Sequence, residues 1–145
     1  LVQAIDQARI RNLIPHAGSM CLIDSVIAWD EAQIECRANN HSDPDHPLRH
    51  LGRLGAVHLI EYAAQAAAIH GALLSENNDR QAPGMLVALR NCELLQDTID
   101  QLSTPLSITA LRQLVNNDGL IYRFEVTANE GALLAHGRLS VMLAR

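Results

Sequence analysis

The sequence LGAVHLIEYAAQAAAIHGALLS, at residues 54–75, is the longest helical pattern in the chain. It is rich in alanine, contains no proline and carries apolar residues around most of its circumference. Alanine is the best helix former, and a helix that is apolar nearly all round is stable only where other elements surround it. Its small side chains also let a neighbouring backbone approach closely. The stretch therefore predicts a long helix at the centre of the fold.

Downstream of this helix the apolar residues recur with the period of β-strands. Tyr122, Phe124 and Val126, for example, alternate with polar residues, which gives one buried and one exposed face. The turns at residues 116–119 and 129–131 combine asparagine with glycine and are typical of hairpins, because both residue types tolerate positive φ. The pattern predicts a four-strand antiparallel meander made of Met85–Leu95, Leu106–Val115, Leu120–Ala128 and Leu133–Leu143.

Upstream of the helix the sequence predicts two further strands. Val26–Trp29 and Gln33–Ala38 form a hairpin, and residues 1–12 can form a short amphipathic helix. One long helix held by an antiparallel sheet is an α+β arrangement, and five or six strands curled round one helix make the hotdog fold. The chain fits a single such domain, 1–145. This fold leaves a sheet edge uncovered, so we expect a homodimer or a heterodimer with another hotdog subunit.

The charge of the chain restricts its partners. The net charge is −5 and all 11 basic residues are arginines, so no nucleic-acid partner is expected.

No uninterrupted run of about 18 apolar residues occurs, which argues against a membrane span. The charged residues Asp6, Arg9 and Arg11 make a poor signal-peptide core, so the expected location is the cytoplasm.

Polar residues are concentrated between the hairpin and the middle of the helix. Four of the 7 histidines lie there, and Glu61 and Gln65 follow on the helix. Offsets of three and four residues place His58, Glu61 and Gln65 on one helix face. Because polar groups are costly to bury unless they are paired, Glu61 and Gln65 are either site residues or anchors for neighbouring loops.

Three segments of the chain resemble motifs of known enzymes. They are PHAGSMCLID at residues 15–24, HPLR at 46–49 and IEYAAQAAAIHG at 60–71. They are similar to motifs of the 3-hydroxyacyl-acyl-carrier-protein dehydratases, and most similar to those of the dehydratases of aryl-polyene and related pigment clusters. The resemblance implies a hotdog fold and an enzyme that converts a 3-hydroxyacyl thioester, on an acyl carrier protein or CoA, to the 2-enoyl thioester.

The resemblance also implies a histidine as base and Glu61 as acid. A histidine suits removal of the C2 proton, and Glu61 can protonate the leaving hydroxyl if burial in an apolar acyl tunnel keeps it neutral. His46 matches the family's histidine, except that it precedes Glu61 by fifteen positions instead of fourteen and follows Asp45 instead of a glycine. His41 is the alternative base. In related hotdog enzymes the base and the acid come from different subunits.

The remaining predicted site residues bind the substrate. Backbone N–H groups around Gly55 and Ala56, at the helix start, are expected to bind the thioester carbonyl. Gln65 is a further substrate-binding candidate. A single His58–Glu61 pair is a poor metal site, so no metal is expected. No cofactor is expected either, since a phosphate-binding glycine loop is missing from the sequence.

Arginines near the predicted tunnel can recruit an acidic carrier protein although the chain is acidic overall. Arg49 and Arg53 are the main candidates, and Arg90 is a further one. Two other functions stay open. The altered loop before Glu61 favours a non-catalytic or partner-dependent subunit of a heterodimeric dehydratase. Acyl thioester hydrolysis is the other, because hotdog proteins also perform it with a helix carboxylate.

Overall fold

A computed structural model describes residues 4–15, 18–76, 84–115, 119–128 and 131–143. The helices are α1 (Gln7–Leu13) and α2 (Leu59–Ser75), and 3₁₀ turns occupy Gly18–Met20 and Ala56–His58. The strands are β1 (Ser25–Trp29), β2 (Gln33–Ala38), β3 (Gly84–Leu94), β4 (Leu106–Val115), β5 (Gly119–Ala128) and β6 (Ala132–Leu143). They form one antiparallel sheet in the order β1-β2-β4-β5-β6-β3.

Helix α2 packs along one face of this sheet and forms the centre of the fold. Ala63, Ala66 and Ala67 are buried in the core, and α2 contacts five of the six strands, so the small side chains allow the close approach expected from the sequence. The helical pattern predicted from residue 54 begins later, because Ala56–His58 form a 3₁₀ turn and α2 starts at Leu59.

The sheet confirms the predicted α+β hotdog architecture of strands curled around one long helix. Tyr122, Phe124 and Val126 of β5 face α2 and are buried, whereas Arg123 and Glu125 are exposed on the outer face. The alternation predicted for this strand is therefore observed. The inner face of β5 is therefore part of the core, and its outer face is polar.

The strand order differs from the predicted meander. Strand β3 pairs with β6 and not with β4, and β4 pairs on its other side with β2. The reason is the long connection at residues 95–105, which is tied to the helix start: Asp97 O accepts from Ala56 N–H at 2.8 Å, and Ile99 N–H donates to Leu54 O at 2.9 Å. This crossover carries the chain past the helix, so that β3 becomes an edge strand.

The second half of α2 is fixed to the first hairpin by a buried histidine. His70 Nε2 donates to Asp30 O at 2.7 Å, and its Nδ1 accepts from the Tyr122 hydroxyl at 2.8 Å. Asp30 also closes the turn between β1 and β2, because its Oδ1 accepts from the N–H groups of Ala32 and Gln33. His70 is therefore a structural residue with both ring nitrogens paired.

The predicted N-terminal helix is confirmed as α1, Gln7–Leu13; residues 1–3 lie outside the described residues. Asp6 caps it, since its side chain accepts from Arg9 N–H at 3.0 Å. Within the described ranges, no helix is both long and apolar enough to cross a membrane.

Candidate active site

The loop at residues 39–58 joins β2 to α2 and places two histidines inside the protein. His41 has no exposed surface, and His46 is only 5% exposed. The start of the loop is fixed because Asp24 Oδ2 accepts from Asn39 N–H at 2.7 Å. The two candidate bases predicted from the sequence thus lie on a single anchored loop.

Arg49 and Arg53 fix the same loop. Arg49 donates hydrogen bonds to three backbone carbonyls of the loop, those of Asp43 (2.7 Å), Gly52 (2.9 Å) and His41 (3.3 Å). Arg53 forms an ion pair with Asp100 at 3.0 Å and donates to Thr98 Oγ1 at 2.9 Å. Both arginines already make contacts within the chain that account for their positions. Their contact with a carrier protein stays a prediction.

His46 is held by hydrogen bonds at both ring nitrogens. Leu48 N–H donates to Nδ1 at 3.1 Å, which makes Nδ1 the acceptor in the neutral ring and leaves the proton on Nε2. Nε2 then donates to the Tyr62 hydroxyl at 2.9 Å, and Tyr62 donates to Asn40 Oδ1 at 2.6 Å. The tautomer follows from this network. Asn40 Nδ2 completes it by donating to Leu22 O at 3.3 Å.

The electrostatic environment keeps His46 neutral. Burial lowers the pKa of His46 below its ordinary value, and the positive charge of Arg49 acts in the same direction, against the opposing carboxylate of Asp43. Burial also raises the pKa of Tyr62, so its hydroxyl stays protonated and can donate. A neutral histidine is the form that a general base requires.

His41 differs from His46 in having an unpaired nitrogen. Its Nε2 lies 2.9 Å from Leu102 O, and a carbonyl can only accept, so Nε2 carries the proton. Its buried Nδ1 makes no hydrogen bond in the part of the chain that the structure describes. Burial lowers the pKa of His41, while the backbone groups of Leu102 and Thr104 oppose this shift. His41 is therefore a neutral imidazole with a free lone pair.

Glu61 lies in the first turn of α2 and is half-buried, so a single chain gives only part of the burial that the sequence analysis expected. Gln65, one turn further along, donates to Glu61 Oε1 at 3.2 Å. The amide of Gln65 is itself anchored, because its Nε2 donates to Met20 O and its Oε1 accepts from Leu22 N–H, both at 2.8 Å. Gln65 therefore ties the 20–22 segment to the helix and orients the Glu61 carboxyl; a role in substrate binding stays a prediction.

Glu61 and the residue that binds His46 leave α2 on different sides. Tyr62, the partner of His46, follows Glu61 directly, and successive residues of an α-helix point about 100° apart. The hydrogen bonds of His46 and His41 within this chain do not include Glu61. Glu61 and Tyr62 therefore leave α2 on adjacent but separate faces.

The predicted carbonyl-binding role of the helix start requires a correction at Ala56. Its N–H donates to Asp97 O at 2.8 Å and is already engaged. Gly55 has an ordinary extended backbone with φ −71° and ψ 145°, and a Cβ built there meets no atom closer than 3.7 Å. The chain's own packing therefore does not require a glycine at position 55.

Tyr62 and Asn40 were missed in the sequence analysis. Tyr62 reads as one more apolar residue of a central helix, and Asn40 as part of a polar loop. The sequence did contain a signal for this pair, because the hydroxyl of a tyrosine buried in a core usually has a hydrogen-bond partner. A buried tyrosine on the helix therefore implied a polar partner on a neighbouring loop.

No metal centre is evident in the described residues, among which no group of three or more histidine, cysteine, aspartate or glutamate side chains is placed to hold a metal ion. His58 lies in the 3₁₀ turn before α2 rather than in the helix itself. His16, part of the PHAGSMCLID segment, lies outside the described residues.

The sequence matches a family model along nearly its whole length. The model describes the ApeP dehydratases, named ApeP-like, and covers residues 8–145. The chain belongs to the ApeP-like dehydratase family. The resemblance to dehydratases of the aryl-polyene type is thereby confirmed. No curated protein matches the sequence significantly.

Solved structures similar to this ApeP-like chain share its fold. The ApeI:P dehydratase heterocomplex from Xenorhabdus doucetiae aligns with a TM-score of 0.83 and 21% identity, over 94% of this chain and 91% of that chain. A mutant thioesterase from Pseudomonas aeruginosa aligns with a TM-score of 0.68 and 13% identity, over 98% and 96%. A thioesterase from Haemophilus influenzae gives 0.63 and 17%, over 85% and 78%. These alignments establish a fold common to dehydratases and thioesterases.

Proposed function

We propose that this ApeP-like chain supplies one half of an active site that dehydrates a 3-hydroxyacyl thioester to the 2-enoyl thioester. The base takes the C2 proton, the C3–O bond breaks, and the hydroxyl leaves as water with a proton from the acid. Glu61 is the acid and a histidine across a subunit interface is the base. The thioester is carried by an acyl carrier protein or CoA, a substrate class of the cytoplasm. No electrons are exchanged, so the step needs no redox cofactor.

The observation that carries this proposal is the fixed carboxyl of Glu61 at the start of the central helix. Gln65 holds its Oε1 at 3.2 Å, and Gln65 is in turn held by two backbone groups of the 20–22 segment. A catalytic acid has to be positioned before the substrate arrives, because orientation supplies much of the rate.

A second hotdog subunit supplies the imidazole for Glu61, because His41 and His46 of the same chain are bonded to other groups. Strand β3 is suited to receive this subunit. It is an edge strand, paired only with β6 among the described strands, and it exposes Leu86, Leu89 and Leu94. Unpaired strand edges with apolar side chains readily pair with another chain. The likeness to a dehydratase heterocomplex supports a non-identical partner.

His41 is the better placed base within this geometry. Its Nδ1 keeps a lone pair that no described residue occupies, whereas both nitrogens of His46 are bonded. His46 could accept a proton only after breaking its bond to Leu48 or Tyr62. We assign His41 the role of base in the second site of the complex, where the acid comes from the partner subunit, and His46 the role of holding the loop. With Ala56 engaged, the N–H groups of Gly55 and Val57 are the candidates for binding the thioester carbonyl.

The test follows the products of a 3-hydroxyacyl thioester. The purified chain is incubated alone and with its hotdog partner, and the absorbance of the conjugated enoyl thioester is recorded beside the release of free thiol. A dehydratase produces enoyl absorbance without thiol. Thiol release without enoyl product would replace dehydration by thioester hydrolysis.

A pair of variants on α2 ties this reaction to the carboxyl. Glu61→Gln keeps size and hydrogen-bonding capacity but removes the acid, so we expect turnover to fall by about a hundredfold or more. Glu76→Gln is the matched control, because Glu76 ends the same helix in an exposed ion pair with Arg9. Unchanged turnover in Glu61→Gln would remove this carboxyl from the mechanism.

A further inference from the structure

Three arginines stand side by side on the outer face of the sheet. Arg123 of β5 is in register with Arg138 of β6, and Arg138 is in register with Arg90 of β3. All three are exposed. Residues directly opposite each other on neighbouring strands point to the same face, so the three guanidinium groups form one row across three strands. We call these residues the arginine row.

The arginine row is not explained by the stability of the fold. Among the residues that the structure describes, none of the three guanidinium groups makes a hydrogen bond or an ion pair. Like charges directly opposite each other on neighbouring strands are destabilising. In contrast, Arg49 is engaged by carbonyls of the 39–58 loop, and Arg53 by its ion pair with Asp100. The three guanidinium groups of the arginine row are therefore available to a partner.

We propose that the arginine row is a docking surface for an acidic helix of the carrier protein that presents the thioester. This inference rests on the proposed function and names the partner of the same reaction. The row includes Arg90 on the edge strand β3, where the second subunit is proposed to pair. A carrier protein bound there lies beside the subunit interface at which the active site is completed.

The dimensions of the row fit a helix. Neighbouring strands lie about 4.8 Å apart, so the row spans about 10 Å. Acidic residues at positions i, i+4 and i+7 of a helix span about 10.5 Å along its axis, at 1.5 Å per residue. Each carboxylate can then face one guanidinium, a pairing whose planar geometry arginine favours. A diphosphate is more compact than this row and would engage only part of it.

The neighbouring rows restrict how such a helix can lie. On one side Glu93, His136 and Glu125 are in register, and this row would repel carboxylates. On the other side Ala88, Ser140 and Ile121 are in register and carry no charge. A shallow groove of about 260 Å³ lies between Arg123 and Arg138 on one side and Glu125 and His136 on the other. An acidic helix is thereby directed onto the arginine row and the neutral row.

The test measures binding and turnover separately. The probe for binding is an acyl carrier protein in its holo form without an acyl group, titrated onto the purified complex at low and raised salt. We expect the double variant Arg123→Gln with Arg138→Gln to weaken binding by about tenfold or more at low salt, and the difference to shrink as salt screens the charges. The variant should unfold no earlier than the wild type, because it removes repulsion.

The matched control is Arg37→Gln. Arg37 is exposed on β2 and pairs in register with Ser107, so it lies two strands away from β5 and outside the row. This variant should bind the carrier protein within about twofold of the wild type. An equal loss in Arg37→Gln would reduce the effect to net charge and overturn the proposal.

Turnover distinguishes the docking surface from the reaction. The double variant should lose kcat/KM with a carrier-bound 3-hydroxyacyl substrate and keep it with the corresponding pantetheine thioester. A selective loss with the CoA thioester would assign the row to nucleotide phosphates and overturn the proposal. The proposal would also be overturned if the wild type self-associates, the double variant does not, and both bind the carrier protein equally well. Weakened carrier binding in a complex without dehydratase activity would retain the docking surface and remove the proposed function.

Discussion

The imidazole of His46 and the hydroxyl of Tyr62 are held 2.9 Å apart inside the protein, and Tyr62 passes the chain of hydrogen bonds on to Asn40 at 2.6 Å. A second pair, His70 and Tyr122, is joined at 2.8 Å by a hydrogen bond of the opposite direction, from the tyrosine to the imidazole. It lies further along α2, where His70 fixes the first hairpin. One pair supports the candidate site and the other supports only the fold. The two pairs therefore allow activity to be separated from stability.

Tyr62→Phe tests the positioning role of the first pair. The variant leaves His46 Nε2 and Asn40 Oδ1 unpaired in the interior, so we expect it to lower the free energy of unfolding by about 1–3 kcal/mol. It should also lower kcat, because the loop that carries His41 and His46 loses its anchor on α2. Tyr122→Phe should cost similar stability and keep kcat. Equal effects of the two variants on kcat would assign Tyr62 a purely structural role.

His41→Ala and His46→Ala, compared side by side, test the choice of base. The free lone pair of His41 leads us to expect the larger loss of kcat in His41→Ala, of about a hundredfold or more. His41→Ala should also remove one limb of the pH–rate profile, the rise in turnover that accompanies deprotonation of the base. His46→Ala should lower kcat less and retain the limb. The reverse order would mean that His46 leaves Tyr62 during the reaction and is itself the base.

The stability of the protein should fall as the medium is acidified. Burial lowers the pKa of His41, His46 and His70 in the folded state, while the unfolded chain has ordinary histidines with pKa near 6.5. Below about pH 6.5 the unfolded state binds more protons than the folded state, so stability is lost as pH falls and is fully present above that value.

Urea unfolding at a series of pH values measures this dependence. Replacing His70 by glutamine should reduce the slope of the unfolding free energy between pH 6.5 and lower pH, because one proton-binding group of the unfolded chain is removed. The same substitution at the exposed His50 serves as the control. A stability that rises on acidification would contradict the account of buried neutral imidazoles.

Two glycines should respond to alanine in opposite directions. At Gly137 of β6, a Cβ would lie 2.5 Å from Cys92 Sγ and 2.9 Å from Cys92 Cα, so Gly137→Ala should destabilise by about 1–3 kcal/mol through overpacking. At Gly71 of α2 nothing lies within 4 Å of the added atom, so Gly71→Ala should stabilise by about 0.5–1 kcal/mol. Thermal or urea unfolding measures the change in stability of both variants.

Much of the fold follows from local patterns in the sequence. The uninterrupted alanine-rich stretch predicted the central helix, and strict alternation around Tyr122 and Phe124 predicted β5 and its buried face. The pairing of β3 with β6 was not predictable in the same way. It depends on a connection that crosses the helix, held by Asp97 and Ile99, and such long-range contacts leave no period in the sequence.

The candidate site was only partly predictable for a related reason. Residue type and spacing pointed to Glu61 and Gln65, because polar groups on an apolar helix are costly to bury unless they are paired, and the resemblance to the dehydratases implied His46 or His41. Which nitrogen of each imidazole is occupied depends on Leu48, Leu102 and other backbone groups brought close only by folding. The engagement of the Ala56 N–H, which the sequence assigned to substrate, has the same origin.

The most direct test of the two-subunit site follows turnover per chain as the purified complex is diluted, with sedimentation reporting how much of it remains assembled. Because His41 and His46 are bonded to groups other than Glu61 within one chain, we predict that dehydration falls in proportion to the assembled fraction and vanishes in the monomer. A monomeric chain that retains full turnover would contradict the account.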